Sequence, residues 1–300
     1  MEGGIAIHLA PSALGHIGEY TVTNTLVTVI TVSLLLLAFA FVAGRSLRMK
    51  PGKGQAVLEA FISIPYDFVR DTLGNDKVTR RLFPIIMTIF VLVLAVNWFA
   101  LLPFVGAIGT DVESHGAPVA HEVASEDEAH TPEYAAETSA SEHHFVPYFY
   151  PGSTDLNFTL MLALVAFFAI EIAGIATLGL VKYAGKFLIN PLRDPVGSVV
   201  GLIEIITELA RIVSFSFRLF GNIFAGKVLL LVAMFFVPLF LPIPVLAFEM
   251  FVGAIQAVVF AMLTLFFAKG AIEVHGDHAH EDKEHKKDHS EEAVRHLGAA

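Results

Sequence analysis

No cysteine occurs among the 300 residues, which excludes disulfides, thiolate metal ligands and cysteine nucleophiles together. Charge is also scarce. Only 16% of residues are charged, against about 25% in ordinary soluble domains, while 55% are hydrophobic. With a mean hydropathy of +0.67, the chain reads as an integral membrane protein. The first 20 residues hold Glu2 and Glu19 but no Lys or Arg. They lack the basic start and short apolar centre of a cleaved signal peptide, so a mature N-terminus is expected. The formal charge of -10 arises mostly in one loop and the tail, which describes solvated segments rather than a binding surface. No nucleic-acid partner, cofactor or metal is expected.

Long apolar runs are what the chain has instead. A hydrocarbon core about 30 Å thick needs about 20 helical residues, and three runs qualify clearly: about 22–44, 82–103 and 157–181. A fourth tract, 196–268, is too long for one span and carries Pro238, Pro242 and Pro244 near its middle. Those prolines predict a hairpin of two helices, about 196–237 and 245–268. Lys and Arg number eight in 45–81, three in 182–193 and five in 269–300, and none in 104–156. By the positive-inside rule the N-terminus is outside and the tail cytoplasmic, with five spans. The expected architecture is an all-α membrane protein with a cytoplasmic-side amphipathic segment, in which 1–268 form one transmembrane domain. An acidic, His-containing outer loop covers 104–156 and a charged, His-rich tail 269–300. As one helix, 196–237 measures about 60 Å, twice the bilayer, so a strongly tilted hairpin is expected.

Polar residues on this long helix recur at Glu204, Glu208, Arg211, Arg218 and Asn222, with Thr207 and Ser214 beside them, a spacing that shares one face. A wet cytoplasmic end accounts for Glu204 to Arg211. Arg218 is different, because Phe215, Phe217, Leu219 and Phe220 surround it. An Arg at the centre of a membrane helix costs roughly 2.5 to 3.5 kcal/mol on insertion scales, so it calls for a polar cavity or a partner charge. An antiparallel hairpin pairs residues whose numbers sum to a nearly constant value. Arg218 with Gln256 gives 474, Lys227 with Glu249 gives 476, and Glu204 with Lys269 gives 473. On this register Lys227 and Glu249 neutralise each other, whereas Arg218 meets only a neutral amide. Its carboxylate is therefore expected from another subunit, which a permanently protonated guanidinium would keep ionised.

The stretch Arg218-Leu219-Phe220-Gly221-Asn222, followed by Ala225-Gly226, resembles the signature of the a subunit of rotary F-type ATP synthases. The resemblance extends to Asn97 with Leu101-Leu102-Pro103, to Asp155-Leu156-Asn157-Phe158-Thr159, to Glu204 fourteen residues before Arg218, and to Gln256-Ala257. It implies a proton-translocating membrane subunit, not an enzyme by itself, in a bacterial plasma membrane. Its partners would be a ring of c subunits whose carboxylates carry the ion, b-type peripheral stalk subunits, the lipid bilayer and protons. Arg218 would face the ring, ionise a passing carboxylate and block direct leak between two half-channels, with Gln256 holding it. Glu249, Asn222 and Lys227 would line the outer half-channel, with Asp155 and Asn157 near its mouth. Glu204, Glu208 and Ser214 would line the cytoplasmic one. Members of the family often carry a carboxylate or histidine at the position of Lys227, and a histidine or carboxylate at that of Glu249. The exchange of acid and base here favours Glu249 as proton carrier.

Other readings are weaker. The 13 histidines lie two near the N-terminus, five in the outer loop and six in the tail, none in a span. A haem subunit lacks its axial ligands, a secondary transporter its repeated halves, and an intramembrane hydrolase its nucleophile or metal motif. The loop from Asp111 to His144 is expected to be solvated, with a proton-gathering role as one hypothesis. Arg211 is the candidate partner for Glu171 in the third span. The tract 51–81 is expected along the inner surface, against lipid or the stalk. An ion-conducting stator or channel subunit of another complex, without a link to ATP, remains the alternative.

Overall fold

In the structure, a computed structural model, the described residues are 12–18, 20–47, 52–113, 143–179, 183, 195–238 and 240–273. Six long helices appear among them: α1 (Asn24–Arg45), α2 (Lys53–Leu73), α3 (Asp76–Phe99), α4 (Leu156–Leu178), α5 (Pro195–Phe236) and α6 (Pro242–Glu273). All but α2 are long and apolar enough to cross a membrane, so the five expected spans are present. The observed bounds differ from the apolar runs mainly where polar turns join the helices. Thus α3 begins six residues before Leu82, because Asn75 caps it by accepting from the amides of Lys77 and Val78.

Two β-hairpins were not expected: β1 (Ala13–Ile17) with β2 (Tyr20–Thr23), and β3 (Gly109–Glu113) with β4 (His143–Pro147). The second closes the base of the outer loop, whose residues 114–142 lie outside the described residues, as do 274–300. The readings of the His-rich loop and tail fall largely there.

The core is a helix bundle with α6 at its centre, packed on α3, α4 and α5, and α2 lying against α3 and α6. Small residues on α4, Ala163, Ala166 and Ala173, are buried and let α5 and α6 approach closely. Phe215 and Leu219 of α5 and Ala257 and Phe260 of α6 fill the seam, with the Phe215 and Phe260 rings 4.9 Å apart. By contrast α1 is peripheral, with Leu34, Leu37 and Phe39 exposed as a lipid-facing helix requires. Among the described residues, the side-chain hydrogen bonds from α1 to distant elements gather at one end. Thr25 donates to Asp155 at 2.9 Å, Asn24 to the carbonyl of Pro147 at 3.3 Å, and Thr28 accepts from the amide of Tyr150 at 3.0 Å.

Where α2 turns into α3, Gly74 adopts φ 62, a left-handed conformation that ends α2 at little steric cost. The break between α5 and α6 falls at 237–241, ahead of Pro242, as the proline cluster predicts.

Candidate functional site

The site is built on the antiparallel pair α5 and α6. At 100° per residue, Arg218 stands at a boundary on α5. Phe215, Leu219 and Gly226 lie to one side, turned into the bundle. Ser214, Gly221 and Ala225 lie within about 60° on the other side, and all three are exposed. A side-chain carbon added at Gly221 would meet nothing within 4 Å. Arg218 itself is half-buried, and among the described residues it makes no ion pair or hydrogen bond.

A lane of under-satisfied polar groups runs from Arg218 toward the hairpin tip. Asn222 Nδ2, Gln256 Nε2 and Glu249 Oε2 are buried without hydrogen-bond partners among the described residues. Each such atom costs about 1–3 kcal/mol. Gln256 and Glu249 are only 8% and 6% exposed, so solvent does not relieve them.

Glu249 lies directly on Gly226, where any side chain would collide with its carboxylate. Gly226 with Glu249 gives 475, inside the 473 to 476 register. Lys227 is half-buried and within electrostatic reach of Glu249, but the two form no ion pair among the described residues. The expected mutual neutralisation is therefore a through-space coupling, with Gly226 rather than Lys227 touching the acid. The glycine escaped the sequence reading, although the register rule points to it.

Further along α5 the arrangement changes. Arg211 Nη1 donates to Glu208 Oε2 at 2.6 Å, with side chains only 11% and 8% exposed. The same guanidinium lies 3.9 Å from the centre of the Phe267 ring on α6. Arg211 thus pairs within its own helix, correcting its expected assignment to Glu171. Glu171 instead has Tyr183 as its neighbour, a residue the sequence reading did not single out. The Tyr183 ring packs on Gly174, leaving no room for a side chain there. Burial foremost, then the Glu171 carboxylate, pushes the phenol above its ordinary pKa. Glu204 is half-buried and, like Lys269, engaged by a neighbour, whereas Ser214 is exposed.

Near the start of α4, Asp155 caps the helix by accepting from the amide of Asn157 at 2.9 Å, while its second oxygen takes the Thr25 bond. Asn157 is exposed. Both oxygens of Asp155 therefore have structural work. One turn on, Thr159 bonds Ser216 at 3.1 Å, which brings the first turn of α4 level with Arg218. Asn97, buried on α3, accepts from Ser153 and donates to the carbonyl of Gly253 at 3.3 Å, tying α3 to α6.

Residues 25–269 match the family described as the ATP synthase A chain. The chain is 30% identical to the ATP synthase subunit a of Campylobacter fetus over 260 residues, which cover 85% of this chain and 92% of that one. It is 27% identical to the ATP synthase subunit a of Moorella thermoacetica over 270 residues, covering 89% and 99%. With the matched region reaching from the start of α1 to the last turns of α6, the chain belongs to the ATP synthase A chain family.

Proposed function

We propose that this chain is the proton-translocating stator of a bacterial F-type ATP synthase, with Arg218 presented to the carboxylates of a rotating c-ring. The observation that carries the reading is the state of Arg218: half-buried, without an ion pair among the described residues, beside an open strip of small residues at Ser214, Gly221 and Ala225. A strip of that shape admits the backbone of a second helix. A carboxylate brought along it would meet a cation that stays protonated, and would be held ionised while in register with it. Once past, it would take a proton again.

Glu249 is the acid best suited to pass protons on the outer side. One of its oxygens has no hydrogen-bond partner among the described residues, and Asn222 and Gln256 lead from it toward Arg218. Lys227 tunes the field around Glu249, and Asp155 and Asn157 hold the frame near this lane. On the cytoplasmic side, Glu204 and Ser214 line the second half-channel, while Glu208 takes part through its bond to Arg211. The N-terminus is then outside, the tail cytoplasmic, and the b-type stalk meets the lipid-facing helices.

Steep tilt of α5 has a geometric argument. Thr159, four residues into α4, is level with Ser216, yet α5 runs on for twenty residues to Phe236. That is about 30 Å of helix beyond the start of a span that already crosses the bilayer. Only an inclined helix keeps that length in the membrane.

The test is Arg218→Ala in the intact complex reconstituted in vesicles. ATP-driven acidification is expected to vanish, with nucleotide hydrolysis by the head retained. Unchanged acidification would refute the assignment.

A further inference from the structure

Away from the conducting lane, α2, α3 and α6 enclose a crevice of about 270 Å³ lined entirely by apolar side chains. Ile64 and Phe68 come from α2, Phe83 and Met87 from α3, and Val258 and Met262 from α6. Ile64 and Phe68 are 70% and 41% exposed, so the crevice opens outward. Arg80 shares a helical stripe with Phe83 and Met87, and lies one turn beyond them at the basic end of the bundle. Lys77 and Arg81 flank it, and all three are exposed. Asp76, the acid of the first turn of α3, does not neutralise them, because it is held by Arg70 at 2.8 Å. Among the described residues, none of the three basic groups is in an ion pair.

We propose that this crevice binds one acyl chain of an anionic phospholipid, whose phosphate is held by Arg80 and Arg81. Three features select that occupant. The wall offers no hydrogen-bonding group, so a polar ligand would lose its hydration without replacement. The volume is too small for a partner helix, which is 10–12 Å across with its side chains, but admits part of a flexible chain. The basic side chains are exposed one helical turn from the crevice, and long cationic side chains there can extend to headgroup depth at a membrane surface. The α2–α3 corner would then be fixed to the bundle by a lipid wedged beneath it. Nothing in this site depends on which ion the subunit conducts.

The experiment uses the intact complex in phosphatidylcholine vesicles with a trace of phospholipid carrying a photoreactive acyl chain, bearing either a glycerol or a choline headgroup. The anionic probe is expected to label peptides spanning 83–90 and 258–265 about 25-fold more than the zwitterionic one, since each of the two surface cations multiplies binding about fivefold. Arg80→Gln with Arg81→Gln, both at exposed positions, should bring the two probes level. Met262→Trp should abolish labelling with either probe by filling the crevice. Equal labelling by both probes in the unaltered complex would reduce the site to ordinary annular lipid and overturn the proposal. So would labelling indifferent to Met262→Trp. Cross-links from the crevice to another subunit in place of lipid would show a protein occupant and overturn it equally.

Discussion

Two arginines stand seven residues apart on α5, and they are in opposite states. Arg211 has a carboxylate at 2.6 Å and an aromatic ring beneath it, all nearly buried. Arg218 has neither ion pair nor hydrogen bond among the described residues and lies beside an open strip. The same residue type on the same helix is structural in one place and uncommitted in the other. Neither sequence spacing nor hydrophobic surroundings separates them as cleanly as their partners do. Arg211 has been given its counter-charge by the chain itself, at the i,i+3 position, whereas Arg218 waits for one.

The contrast breaks most directly at Arg218. Arg218→Ala should lower ATP-driven proton uptake by about two orders of magnitude or more, leaving the thermal stability of the subunit close to unaltered. Arg218→Lys should be nearly as severe, because an ammonium lacks the planar fork that receives a carboxylate. If Arg211→Ala, corrected for the amount of assembled complex, were equally damaging to coupling, the two arginines would not differ in kind.

Arg211→Ala should instead act on stability. Removing the guanidinium strips the buried Glu208 carboxylate of its counter-charge, a loss of about 3–5 kcal/mol, read as a lower denaturation midpoint or less assembled subunit. The double change Arg211→Gln with Glu208→Gln should recover most of it. Failure to recover would show that Glu208 has work beyond its ion pair.

A smaller effect is expected at Gly226. Gly226→Val drives a side chain into Glu249 and should cost about 1–3 kcal/mol. Adding Glu249→Ala should restore packing but not proton uptake. A Gly226→Val subunit with unaltered stability and uptake would show that Glu249 is free to move away.

The smallest expected change is at Tyr183. Its phenol is held above the ordinary value near 10, so the native state keeps its proton to higher pH than the unfolded chain does. The contribution is full below about pH 10 and is lost as pH rises toward the folded value. Tyr183→Phe should therefore lose less stability than the unaltered chain on alkaline titration. Parallel curves would show that the phenol is neither desolvated nor close to the Glu171 carboxylate in the folded state.

Much of this was legible in the sequence because a bilayer simplifies the grammar. The spans follow from uninterrupted apolar length, and the hairpin break from Pro238, Pro242 and Pro244. The pairing of α5 with α6 follows from a constant sum, on which the contact of Gly226 with Glu249 falls. What escaped depended on contacts between segments far apart, or on geometry without a composition signal. Asp155 reads as a polar residue near a channel mouth, yet its oxygens are taken by a helix cap and by Thr25. Tyr183 carries no motif and becomes informative only through Gly174 and Glu171. The β-hairpin at the base of the outer loop pairs strands separated by about thirty residues whose composition resembles solvated coil.

The one-ended latch on α1 has a consequence for the order of events during synthesis. Its anchor at Asp155 is translated 130 residues after Thr25. At about 5–20 residues per second the first helix leaves the ribosome roughly 6–26 s before its fastening exists. Until then it is held in lipid by its apolar surface and by its packing on α3, which is made earlier. The finished subunit is thus closed by a helix made well before its anchor, and the state before closure is the one that insertion factors and membrane proteases encounter.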